Sequence, residues 1–215
     1  MTMSGFKVFS FGFLLVGAVP GVRADADGDA RWIDASSLAV EGRAFADRES
    51  TFDRLPASAK GRVTPAVWWL SHHTAGFLIR FKTDSDFIKV KWDLLSAGLD
   101  MANMSRCGMS GFDVYRRAAD GRWKFVRAFS PQRQIGNSGA TSWKRGEEGM
   151  LNFPILNGVT ALQIGVSSNA TFEVVDTKKR PIVWYGVGGI IGRFGGSFFV
   201  GTLTRVDSCI GTSSL

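Results

Sequence analysis

The sequence predicts an all-β domain over residues 30–178, and three observations carry that expectation. Apolar and polar residues alternate at period two through the middle of the chain. Clusters of Gly, Asn, Asp and Ser separate the alternating runs. No amphipathic helix of useful length is legible between residues 30 and 180. A domain of about 150 residues buries close to 70% of its unfolded surface, and short strands without long helices pack most economically as two facing antiparallel sheets.

The strands follow in order. Phe77, Ile79 and Phe81 alternate with Leu78, Arg80 and Lys82. After Thr83-Asp84-Ser85-Asp86, the set Ile88, Val90, Trp92 and Leu94 alternates with Phe87, Lys89, Lys91 and Asp93, so the two runs are expected to form a hairpin. A second hairpin is expected where Phe112 to Arg117 and Arg122 to Arg127 flank Ala118 to Gly121, because Asp120-Gly121 supplies residues that tolerate positive φ. Leu162, Ile164 and Val166 alternate after the turn Asn157-Gly158, and Thr171 to Val175 follows the turn Ser168-Asn169-Ala170. Trp32, Trp68, Trp69, Trp92 and Trp123 are expected to supply large apolar area to the core. The stretch Ile135 to Gly149 is rich in Gly, Ser, Lys and Glu and lacks period two, so it reads as a long exposed loop with Trp143 beside Lys144 and Arg145.

Length and charge bound the rest. The chain has 215 residues, 45% apolar and 21% charged, with 26 basic against 19 acidic side chains. That is ordinary globular usage, which excludes disorder, collagen and coiled coil. Basic residues are scattered along alternating segments and not gathered into a stripe with stacking aromatics, so no nucleic-acid partner is expected. Residues 1–24 read as a signal peptide: Lys7 precedes the apolar run Val8 to Val19, which leads to the small-residue sites Val22-Arg23-Ala24 and Ala24-Asp25-Ala26. The run is short of the roughly 20 residues that span a bilayer, and the apolar span Ile182 to Thr204 is interrupted by Arg193 and several glycines. A secreted or periplasmic protein with no membrane span after cleavage is expected.

Candidate chemistry is sparse. Cys107 and Cys209 lie too far apart for a metal knuckle, and each reads as a quiet thiol or as half of a disulfide in an oxidising compartment. Ser71-His72-His73 reads as a strand end, where neighbours point to opposite faces and form neither a nucleophile and base pair nor a metal site. Gly186, Gly188, Gly189 and Gly192 do not complete a dinucleotide fingerprint. No cofactor and no metal are expected.

A set of blocks resembles a known family. Arg54-Leu55-Pro56, Trp69-Leu70-Ser71 with Ala75-Gly76 and Arg80-Phe81, Gly111-Phe112-Asp113-Val114-Tyr115, and Phe153-Pro154-Ile155-Leu156-Asn157-Gly158-Val159 stand in that order, closed by Arg180-Pro181-Ile182-Val183-Trp184-Tyr185-Gly186. Over roughly residues 32 to 186 the chain resembles the N-terminal domain of bacterial SGNH/GDSL hydrolases. The resemblance implies a jelly-roll-like β-sandwich followed by the first strand of an α/β catalytic domain. In that family the strand runs into Gly-Thr-Ser-Ile, whose Ser is the nucleophile, and an Asp-x-x-His lies far downstream. Here Gly186 is followed by Val187-Gly188-Gly189, the only histidines are His72 and His73, and Gly211-Thr212-Ser213-Ser214 stands at the end of the chain. No catalytic residue is assigned, and residues 179–215 read as a truncated or degenerate start of the catalytic domain. The expected function is a secreted, noncatalytic accessory sandwich of a carbohydrate-ester hydrolase. The alternatives are a free-standing carbohydrate-binding module, with Trp143 as the side chain that stacks on a sugar ring, and an active esterase by family descent.

Overall fold

The computed structural model describes residues 29–175 and the backbone of two short strands, Val183–Trp184 and Gly201–Thr202, which pair antiparallel with each other. The expected signal peptide, Cys209 and all but those two strands of the expected catalytic-domain start lie outside the described residues.

Nine strands build the described domain: β1 (Ala30–Asp34), β2 (Leu78–Thr83), β3 (Phe87–Leu94), β4 (Phe112–Arg117), β5 (Trp123–Phe129), β6 (Asn137–Ser142), β7 (Glu148–Asn152), β8 (Val159–Ser167) and β9 (Phe172–Val174). They form a four-stranded sheet in the order β1-β8-β3-β6 and a five-stranded sheet in the order β5-β4-β7-β2-β9, with antiparallel pairing throughout. The all-β expectation holds. The two α-helices among the described residues are short, α1 (Pro65–Ser71) and α2 (Arg106–Ser110).

One core joins the sheets. Ile88, Val90, Trp92 and Leu94 of β3 and Leu162, Ile164 and Val166 of β8 meet Ile79, Phe81, Phe112, Val114 and Leu151 from the other sheet. The residues from β2, β3 and β8 are the alternate positions that period two singled out. Trp92 lies against Phe112 at 5.5 Å between ring centroids, and Phe112 against Phe153 at 5.2 Å, in the tilted and edge-on arrangements that aromatic quadrupoles favour. Phenylalanine and not tryptophan dominates: six phenylalanines are buried, whereas of the five tryptophans expected inside only Trp92 is, and Trp69 is 51% exposed.

Two further expectations are corrected. β2 and β3 are not a hairpin but belong to different sheets. Their polar link crosses between the sheets and is tied to the turn after β8: Asp84 Oδ1 accepts from Thr171 N at 2.7 Å, and Asp86 Oδ1 accepts from Ser167 Oγ at 2.8 Å. Those N–H and O–H donors hold both carboxyls below the usual range. Period two reports which face of a strand is buried, not which strand lies beside it.

The expected loop from Ile135 to Gly149 contains β6, most of a second crossing between sheets, and the start of β7. The crossing lies beside the first, with Trp143 N donating to Asp86 O at 2.7 Å and Gly146 N to Thr83 O at 2.8 Å. The pattern is illegible because rings from elsewhere fill the space that apolar strand residues would occupy. A Cβ on Gly139 would stand 2.4 Å from the Phe129 ring, and one on Gly149 would stand 2.3 Å from the Phe81 ring.

Candidate functional site

The crossings occupy one end of β2, and at its other end the polar side chains of the domain converge. Thr64 caps α1 by accepting from Val67 N, and Pro65 follows at the first helical position, a pair of helix-start signals. The segment Ser71-His72-His73 is therefore a helix end and not the strand end expected. Helix C-termini leave carbonyls without intrahelical partners, and the buried Arg54 takes them here. Its guanidinium donates to Leu70 O and, at 2.8 Å, to His73 O, while its own N–H donates to Ser71 O at 2.9 Å. Burial lowers the Arg54 pKa to about 10, so it remains a cation at neutral pH.

Asp53, beside Arg54, accepts from Ser50 N at 2.9 Å and faces His72 Nδ1 at 2.7 Å. With the ring proton on Nδ1, Nε2 is the acceptor nitrogen of the neutral imidazole. Trp68 meets the ring edge-on at 5.1 Å. A carboxylate holding an imidazole through Nδ1 is the base half of a Ser-His-Asp constellation. The nucleophile half is absent at the adjacent serine: Ser71 is buried and its Oγ donates to Trp68 O at 2.6 Å within the helix. The pair is a structural brace between the 50–53 turn and α1.

His73 is buried at the same end. Burial first, then the Arg54 cation and His72, push its pKa down to about 4 from 6.5. The folded protein keeps the ring neutral where the unfolded chain would protonate it, so stability falls as pH drops from about 6.5 towards 4. At roughly 1.4 kcal/mol per unit the loss is at most about 3.5 kcal/mol. Urea midpoints at pH 7 and pH 4.5 are expected to differ less for His73→Gln than for the native chain; an equal difference in both would refute the assignment.

Next along the chain, Thr74 N donates to the carbonyl of Asn157 at 3.1 Å, and Asn157 is fully buried. Its Oδ1 accepts from Ser96 N at 3.0 Å and Gly158 N at 2.9 Å, and its Nδ2 donates to Ser96 O, Gly98 O and Ser110 Oγ. Thr74 adds a hydroxyl donor to Asn157 O and Pro154 O. Gly158 is required by close approach, since a Cβ there would stand 2.5 Å from His72 O. The sequence shows Arg54 and Asn157 only as members of motif blocks; their buried polar work has no periodic signal.

Two sequence candidates are placed elsewhere. Trp143, expected on an exposed loop as a sugar platform, is 6% exposed and packs on Phe81 at 5.4 Å, so its faces are taken by the core. Cys107 lies on α2, where burial first and then Asp113 raise its pKa, and Arg106 turns away to Asp100 at 2.8 Å. A thiol so placed is a poor nucleophile.

The run that follows α2 decides the family. Gly111 lies where a Cβ would meet Cys107 O at 2.5 Å and Phe129 O at 2.6 Å, Phe112 and Val114 enter the core, and Tyr115 packs on Phe125 at 5.6 Å. Residues 30–172 match the model of GxDLY, the N-terminus of SGNH-hydrolase-type esterases. The chain belongs to the GxDLY family. Gly111, Asp113 and Tyr115 supply the lettered Gly, Asp and Tyr, with Val114 in place of leucine. Among solved structures, a Bacteroides ovatus protein described as a GDSL-like lipase aligns with this GxDLY chain at 26% identity and TM-score 0.61, over 71% of this chain and 45% of its own. The salicylyl-acyltransferase SsfX3 from a tetracycline biosynthetic pathway shares the fold at 16% identity and TM-score 0.51, over 71% and 43%. The chain thus spans less than half the length of either neighbour. No curated protein matches it.

Proposed function

We propose that this GxDLY domain is a noncatalytic, jelly-roll-like accessory domain of a secreted or periplasmic SGNH-type hydrolase acting on carbohydrate esters. The observation that carries the reading is the extent of the family match: it covers the β-rich N-terminal part, residues 30–172, and the part named is the N-terminus of an esterase. The arrangement around His72 supports it, because a well-held Asp-His pair there has its neighbouring hydroxyl committed to the helix.

The role is to brace the catalytic domain. β9 runs antiparallel to β2 and Val175 N donates to Arg80 O, so the chain leaves β9 heading for the end of β2 where α1 finishes. Trp69, exposed on α1, belongs to the surface a following domain would cover there.

The purified chain is expected to hydrolyse nitrophenyl acetate no faster than a heat-killed control. Saturable hydrolysis abolished by a serine-directed phosphonate would refute the noncatalytic role.

A further inference from the structure

We propose that the outer face of the four-stranded sheet is a carbohydrate-binding groove, with Trp32 as its stacking platform and Asp34, Gln163, Lys91 and Asp93 as its hydroxyl-bonding groups. The ligand class rests on the reading of the domain as part of a carbohydrate-ester hydrolase; the location rests on register and shape alone.

Register places two rows across the outer face. Trp32, Gly165, Lys89 and Ala140 are successive partners from β1 to β6, and Asp34, Gln163, Lys91 and Ser138 form the next row. Asp93, paired with Ala161, begins a third row and accepts from Gly136 N at 2.7 Å. With strands about 4.8 Å apart, a row crosses roughly 14 Å, room for a short oligosaccharide lying across the strands. A cavity of about 460 Å³ opens there, lined among others by Asp34, Lys91, Asp93, Ser138 and Gln163. Small side chains hollow its floor, at Ala161 and Ser138, and Gly165 and Ala140 continue the row beside it.

Gly165 is the decisive position. A Cβ there would stand 2.9 Å from the Trp32 indole, so glycine lets the ring settle onto the sheet beside the groove, half-buried. The Lys91 ammonium lies over the outer face of the ring, 4.1 Å from its centroid, and a sugar that stacks there displaces this flexible side chain from the face. The electron-rich face of an aromatic ring packs on the weakly positive C–H bonds of a sugar face, and an ammonium at such a ring is placed to donate to hydroxyls. Carboxylates, amide, ammonium and hydroxyl together offer both acceptors and donors, which suits a ligand whose every hydroxyl is both.

Other ligand classes fit worse. Asp34 and Asp93 offset Lys89 and Lys91, so the face lacks the surplus cation that a phosphate or nucleic acid demands. An apolar peptide would cover Asp34, Asp93, Lys91 and Gln163 of the lining without offering them hydrogen bonds. The five-stranded sheet differs on its outer face, where Arg117 meets Glu148 at 3.0 Å and Arg80 lies over Trp123 at 5.4 Å, long side chains that satisfy one another.

Affinity electrophoresis of the full chain in native gels containing xylan, acetylated xylan, mixed-linkage glucan, galactomannan or polygalacturonate tests the proposal. At least one neutral polysaccharide is expected to retard the protein, and Trp32→Ala and Gln163→Ala are each expected to weaken that retardation about tenfold or more. Gln163 is exposed, so its substitution keeps the test alive if Trp32→Ala fails to fold. Trp123→Ala, on the other sheet, is expected to bind as the native chain does. Retardation by none of the polysaccharides, by polygalacturonate alone, or equally in native and Gln163→Ala chains would overturn the groove. Ester hydrolysis by this chain would instead refute the noncatalytic reading and leave the groove standing.

Discussion

Asn157→Ala is expected to destabilise the domain by about 4 kcal/mol, since it strips partners from several buried groups at once and each such loss costs roughly 1–3 kcal/mol. The amide bonds Ser96 through both its N–H and its C=O, and it also reaches Gly98 O and Ser110 Oγ. Alanine leaves those groups facing a void too small and too crowded to hydrate well. Asn157→Asp is expected to be as harmful, because it turns a donor to three oxygens into an acceptor and buries a charge without a partner. Ser110→Ala, which removes one neutral bond, is expected to cost about 1 kcal/mol. Urea unfolding at pH 7 ranks them; an Asn157→Ala chain within about 1 kcal/mol of native would show that the hub is replaceable.

Gly149→Val is expected to cost about 3 kcal/mol or more, the upper range for overpacking a core. Gly149 and Phe81 are direct cross-strand partners, and the Phe81 ring lies over the glycine in the space of its missing side chain. The ring cannot swing aside, being stacked on Phe172 at 5.4 Å and packed on Trp143 at the same distance. The backbone cannot retreat either, since β7 is bonded to β4 on one side and β2 on the other. Phe81→Ala alone is expected to cost roughly 3–5 kcal/mol. In the double variant valine enters the vacated space, so the two losses should fall short of their sum by about 1 kcal/mol or more. Strict additivity, measured by a double-mutant cycle in urea, would mean that the ring and the glycine do not share that volume.

These two sites also mark where the sequence is silent. The burying face of every long alternating run was legible: Ile88 to Leu94 and Leu162 to Val166 point inward as period two requires. The hairpin of β4 and β5 was legible too, because Asp120-Gly121 encodes a turn locally and Gly121 has φ of +79°. The pairing of β2 and β3 was misread, since a four-residue polar link fits a hairpin and a sheet-to-sheet crossing equally well. β6 has no such signal, because its sequence, Asn-Ser-Gly-Ala-Thr-Ser, carries no apolar alternation and the space over Gly139 is filled by the Phe129 ring of β5. Trp143 was misplaced for the converse reason: charged neighbours Lys144 and Arg145 say nothing of an indole that turns inward between them and the core. At the α1 end, the Arg54 and Asn157 side chains act mainly on backbone carbonyls and N–H groups that any residue type could supply, so their partners carry no mark in the sequence.

The position of β8 has a bearing on how the protein is made. This strand has no sequence-local partner: it lies between β1 and β3, and its register joins Ala30 to Ser167. During synthesis β1 emerges first and waits, with no neighbour for its edge, until almost the whole domain has left the ribosome. Pairings across such separations are slow because the loop must close before any bond rewards it. The four-stranded sheet therefore closes only when β8 arrives to join β1 to β3, whereas β2 to β7 can already pair with one another.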